Sequence, residues 1–101
     1  MKRLELIMGR NIPNAGRVSD TMINDFIKTE IIPHFEYGTF IDGEGIWKGE
    51  FEDTKIFYIE VEDQEVIATA VLLKYIADRY RKAFRQDSVL VSEVSTQTTF
   101  V

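Results

Sequence analysis

One stripe of side chains constrains the fold more than anything else in this sequence. Val66, Ala70, Leu73, Ala77, Tyr80 and Phe84 alternate four- and three-residue steps, a spacing that only an α-helix gathers onto one side. The stripe predicts a helix starting at Asp63 whose apolar side is core or an oligomer seam, and not a cofactor box.

The other elements follow from shorter patterns. Leu4, Leu6 and Met8 alternate with Glu5 and Ile7, the period of a strand, and "GRNIPNAGR" then supplies the Gly, Pro and Asn of a long loop. Ser19 or Asp20 can cap a helix over about residues 20–31, carrying Met22, Ile23, Phe26, Ile27 and Ile31 on one face; Pro33 is expected to stop it. A strand is expected over 35–41, a turn at "DGEG", and one long or two broken strands from Ile46 through Val61. Within the last, Phe57, Ile59 and Val61 face one way and Ile56, Tyr58 and Glu60 the other. The end, "SVLVSEVSTQTTFV", reads as one strand or a bent pair, and the apolar Phe100 and Val101 are expected to dock, with a neighbouring subunit as one candidate place.

Strand, helix, strand, strand, helix, strand is the order of the split βαβ, or ferredoxin-like, sandwich: an α+β fold with two helices on one face of an antiparallel sheet. The expected organisation is a single domain over residues 1–101. The other sheet face must be polar or covered, and a second copy of the chain is the expected cover, which makes the protein a homo-oligomer.

Composition removes several function classes. At 101 residues and 45% hydrophobic content the chain can enclose one core without a disulfide or metal. With no cysteine and one histidine it has no thiolate site and no conventional zinc cluster. Glu5 and Arg10 interrupt the apolar start "MKRLELIMGR", so no signal-peptide core or membrane span is expected, and the protein is placed in the cytoplasm. A net charge of -5 repels phosphate backbones, which argues against nucleic acid. Arg79, Arg81, Lys82 and Arg85 read as a solvated helix end.

Nucleophile motifs are missing, and His34, beside the helix-ending Pro33, reads as structural. "GEG" and "WKGE" lack the ending of a phosphate loop. Carboxylates and aromatics remain around the central hairpin: Tyr37, Asp42, Glu44, Trp47, Glu50, Glu52, Asp53, Tyr58 and Glu60. Acids beside aromatic faces suit an organic cation, through ion pairing and cation–π attraction. The same residues also fit a solvated acidic hairpin with one packed tryptophan.

Five short elements carry a resemblance: "GRN" after the first strand, "YGTF" at Tyr37, "WKGE" ending at Glu50, "QDSVLV" from Gln86, and "TQT" from Thr96 to Thr98. In these the chain resembles the S-adenosylmethionine (SAM) lyases of lytic bacteriophages, long called SAM hydrolases. It also resembles an uncharacterised bacterial family in which the "GR" turn, a "VSD"-like helix start, "GIW" and "FRQDSVLV" recur in that order. The lyase resemblance implies a trimer of ferredoxin-like subunits with a small-molecule substrate held at the subunit interface. It implies cleavage of SAM to methylthioadenosine and homoserine lactone by attack of the substrate's own carboxylate, with SAM as substrate and no cofactor or metal. Carried over, Glu50 holds the ammonium or sulfonium end, with Glu52 as the alternative counterpart, and Tyr37 hydrogen-bonds or stacks. Trp47 becomes a wall for the adenine or sulfonium, Arg10, Ser88, Thr96 and Thr98 candidate polar contacts, and Asp42 and Glu44 turn residues. A non-enzymatic oligomeric nucleoside-binding protein of the same fold is the alternative.

Overall fold

The computed structural model describes Met1–Val101. Its strands are β1 (Lys2–Gly9), β2 (Thr39–Trp47), β3 (Glu50–Val61) and β4 (Leu90–Ser95); its α-helices are α1 (Asp20–Phe26) and α2 (Val66–Ala83). One sheet of order β2-β3-β1-β4 joins them, antiparallel at every pair. This is the α+β arrangement expected from the element order, with both helices contributing to one core on one side of the sheet.

Periodicity explains that core. Leu4, Leu6 and Met8 are fully buried, and with Phe57, Ile59 and Val61 they form the covered face of the two central strands. Ile23 and Phe26 of α1 and Val66, Leu73, Ile76, Ala77 and Tyr80 of α2 close over them. The Tyr80 ring packs against both Phe26 and Phe84, with centroids at 5.1 and 4.9 Å, and its hydroxyl donates to the Gly9 carbonyl at 2.6 Å. Burial pushes that hydroxyl's pKa well above the usual tyrosine value. The bond pins the C-terminal part of α2 to the end of β1.

Two local expectations need correction. The first helix does not stop at residue 31: α1, capped by Ser19 through the Met22 amide, runs on as a π-turn (Ile27–Ile31) and a 3₁₀ turn (Ile32–His34). Pro33 sits in the first positions of that last turn, where its missing N–H leaves no helical bond unmade. Second, "DGEG" is not a turn. β2 starts at Thr39, passes straight through Asp42–Gly45 and reverses at Lys48 and Gly49, whose φ values of 51° and 79° are the left-handed pair that a two-residue hairpin turn requires. At the end of the chain Phe100 lies edge-on to Tyr37, with centroids 5.7 Å apart, while Phe100 and Val101 both stay exposed.

The sheet face away from the helices is left bare in the chain. Register sets Ile41, Ile56, Ile7 and Leu90 side by side across all four strands, and Ile41 and Leu90 are about half exposed. No helix is long and apolar enough to cross a membrane.

Candidate functional site

β1 ends at Gly9, opposite Thr54, while β3 begins four residues earlier at Glu50. The pairs from Glu44–Asp53 to Trp47–Glu50 therefore form a two-stranded arm beyond the four-stranded sheet. Alternation puts Trp47, Glu50 and Glu52 on the bare face of this arm, together with Gly9, Gly45 and Thr54.

The end of α2 supplies the other wall. Arg85 takes a left-handed φ of 51°, and the Gln86 amide donates back to the Arg81 carbonyl at 2.9 Å, a Schellman closure. The turn brings Gln86, Asp87 and Ser88 against the arm. Between them lies a cleft of about 190 Å³ bordered by Ile7, Gly9, Trp47, Glu52, Thr54, Asp87 and Ser88. A second cleft of about 500 Å³, which adds Glu50 and the Asn11–Asn14 loop, shares Trp47 and Glu52 with it.

Two side chains of the arm are held in place. The Trp47 indole N–H donates to Asp87 Oδ2 at 3.1 Å, and Lys48 Nζ pairs with the same oxygen at 2.9 Å. Hydrogen bonds from Lys48 and then Trp47 keep the Asp87 carboxyl below the usual carboxylate range. Glu52 Oε2 accepts the Asn11 amide at 3.0 Å. The chain's nine ion pairs include neither Glu52 nor Glu50. The cleft thus holds a carboxylate with no cation, beside an indole.

The other end of the same face is saturated. Glu60 accepts Arg3 Nε at 2.9 Å and the Thr96 hydroxyl at 2.7 Å. Burial alone raises the Glu60 pKa; the bonds from Thr96 and Arg3, the Arg3 charge and Thr98 outweigh it, and the net shift is downward. Tyr37 donates its hydroxyl to the Glu60 carbonyl at 2.5 Å. Burial, then the charges of Glu65, Glu62 and Glu60, raise the Tyr37 pKa.

The structure therefore divides the residues singled out from the sequence. Trp47, Ser88, Glu50 and Glu52 come together at the arm. Tyr37, Thr96 and Thr98 gather around Glu60, which lies eight residues from Glu52 along β3, roughly 26 Å at a strand's rise per residue. Arg10 joins neither group: its guanidinium is buried and donates to the Val18 carbonyl, at 3.1 and 2.9 Å, and to Asp20 at 2.7 Å, bracing the loop against the start of α1. Asp42 is a strand residue paired with Lys55 at 2.6 Å. Gly9, Asn11, Gln86 and Asp87 had no assigned part. They lie inside "GRN" and "QDSVLV", so the blocks carried the signal without the roles. No group of three or more His, Cys, Asp or Glu is placed to hold a metal.

Fold and site together define an antiparallel α+β protein with an anionic, aromatic-walled cleft at one end of a bare sheet face. Residues 3–100 match the family described as "Protein of unknown function (DUF3574)", and the chain belongs to that family. No curated protein matches it. Among solved structures it is similar to a phage SAM lyase in the apo state, with TM-score 0.65 and 16% identity over 92% of this chain and 78% of that one. It is similar also to a phage SAM lyase in complex with S-methyl-5′-thioadenosine, with TM-score 0.65 and 14% identity over 92% and 79%. At these identities the likeness is one of fold.

Proposed function

We propose that this protein is a SAM lyase, cleaving S-adenosylmethionine to methylthioadenosine and homoserine lactone. Its fold likeness to phage SAM lyases, one of them solved with S-methyl-5′-thioadenosine, supports the reading. The observation in this chain that carries it is Glu52: a recessed carboxylate beside Trp47 with no cation of the protein paired to it.

The reaction needs no nucleophile from the protein. A carboxylate oxygen of the substrate forms a bond to its own γ-carbon, the carbon–sulfur bond breaks, and its electron pair stays on sulfur as a neutral thioether. One negative and one positive charge vanish together, while the ammonium persists unchanged. A protein carboxylate held against the sulfonium would stabilise the ground state more than the transition state. Against the ammonium it orients the chain for ring closure at no such cost. Glu52 therefore takes the ammonium, Trp47 stacks on the adenine, Ser88 offers a hydroxyl, and Glu50 stands at the rim.

Tyr37, Thr96 and Thr98 reach such a substrate only from another copy of the chain, so the reading includes a homo-oligomer, with a trimer favoured, that covers the bare Ile41–Leu90 row. Arg10 takes no part: Nε and Nη2 of its buried guanidinium brace Val18 and Asp20, and it borders neither cleft.

Purified protein incubated with SAM is expected to release methylthioadenosine and homoserine lactone, separable by chromatography. Absence of both at high protein concentration overturns the assignment. Tight methylthioadenosine binding in calorimetry without turnover would instead establish the non-enzymatic nucleoside-binding protein.

A further inference from the structure

We infer that Gly9, Asn11 and Gln86 are positioning residues for the Glu52 carboxylate, an inference that rests on the proposed role of Glu52 at the cleft.

Gly9 is the last residue of β1, and its φ is not positive, so the backbone there does not demand glycine. Space does. A Cβ at this position would lie 2.6 Å from Glu52 Cδ, 2.6 Å from Oε2 and 2.7 Å from Oε1, inside van der Waals contact. All three nearest atoms belong to one carboxyl group. The missing side chain therefore serves as the seat in which that group lies.

Seated there, Oε2 takes the Asn11 amide at 3.0 Å, and Oε1 accepts no hydrogen bond within the chain. The Asn11 peptide is itself fixed from three sides. Its carbonyl accepts Gln86 Nε2 at 2.8 Å, its side chain donates to the Phe51 carbonyl at 3.0 Å, and the preceding Arg10 amide donates to the Asp53 carbonyl at 2.9 Å.

Burial makes the same point. Arg10 and Gln86 are the only buried side chains outside the apolar and aromatic core, and burying a polar group is costly unless its bonds are made. Both brace the segment that holds Glu52: Arg10, within it, donates to Val18 and Asp20, and Gln86 ties Asn11 to the turn after α2. A glutamate has several free torsions, and a carboxylate that must orient a flexible substrate gains most from having them fixed.

Gly9→Ala isolates this seat, because the three atoms nearest the added methyl all belong to the mobile end of Glu52. Two measurements decide the matter: kcat at saturating SAM, and the Asn11 amide proton resonance as pH is lowered through the carboxyl range, which needs no substrate. The wild-type resonance is expected to follow the ionisation of Glu52, and Glu52→Gln to abolish the response. Gly9→Ala should abolish it as well and lower kcat by about 100-fold, the penalty for a displacement near 1 Å, while the melting temperature stays close to wild type. Adding Glu52→Asp, one methylene shorter, to Gly9→Ala should restore part of kcat, which a merely structural role for Gly9 would not allow. An Asn11 resonance that still follows pH in Gly9→Ala overturns the inference, and so does decoupling with kcat unchanged. If wild-type protein does not turn over SAM, the proposed function falls, and the resonance alone then decides the seat.

Discussion

Glu52 and Glu60 lie on the same face of the same strand, eight residues apart, and their surroundings are opposite. Glu60 is ringed by Arg3, Thr96 and Thr98, with its own carbonyl taken by Tyr37. Glu52 has one backbone amide, a glycine beneath it and an indole nearby. A carboxylate whose bonds are all made within the chain has nothing left for a ligand, and it contributes to stability. One held by a single amide, without a counter-charge, is free to receive a cation. Periodicity assigned both to one face; only their partners tell them apart.

The sharpest way to break this comparison is to neutralise each in turn. Glu52→Gln is expected to lower SAM turnover by about 100-fold, equivalent to ~2.7 kcal/mol of barrier, with little change in melting temperature. A fall in melting temperature as large as that of Glu60→Gln would erase the distinction. Glu60→Gln leaves Arg3 and the Thr96 hydroxyl without their charged acceptor and should cost ~1.5 kcal/mol, about 6 to 10 °C for a chain of this size, read by circular dichroism.

Acid sharpens the same contrast. The folded pKa of Glu60 is depressed below the ordinary 4.5, so its stabilisation is complete above that value and is lost as pH falls through the folded pKa. Wild-type melting temperature should therefore drop on acidification below about pH 4.5 more steeply than that of Glu60→Gln. Parallel curves would remove Glu60 from the account. A smaller effect is expected at the turn that delivers Gln86. Arg85→Gly relieves a left-handed backbone that costs a side-chain-bearing residue about 1 kcal/mol, and should raise the melting temperature by about 4 to 7 °C. The smallest concerns the tail: deleting Phe100 and Val101 removes an edge-on ring contact worth ~0.5 to 1 kcal/mol and should loosen only the Glu60 end, leaving Asn11 and Trp47 resonances in place.

Long periodic elements were legible in the sequence because their pattern comes from burial, and burial is what shaped them. The Val66–Phe84 stripe and the Leu4–Met8 alternation lie where periodicity put them, and the antiparallel sheet with both helices on one side followed from element order. The hairpin was misread for a physical reason. Asp-Gly and Glu-Gly pairs advertise a turn, yet Gly43 and Gly45 have ordinary strand backbone, and the reversal uses Lys48 in the left-handed position where asparagine is common. The turn position also decides how far Tyr37 lies from Glu50, so the placement of the candidate site inherited the error. Asn11 acts through its backbone amide and Gly9 through an absent side chain; neither role leaves a chemical signature in a list of residue types.

The two-stranded arm has a further consequence. Its outermost pairs have no third strand, and isolated hairpins are marginal in water, so they should open and exchange their amide protons well before the core does. What secures the arm against the turn after α2 is chiefly the Asp87 carboxylate, through Trp47 and Lys48. Trp47 is also the chain's only tryptophan. Its fluorescence comes from a single place, so the emission spectrum is an unlabelled gauge of latch closure, able to follow the breathing of the cleft while the rest of the protein stays silent.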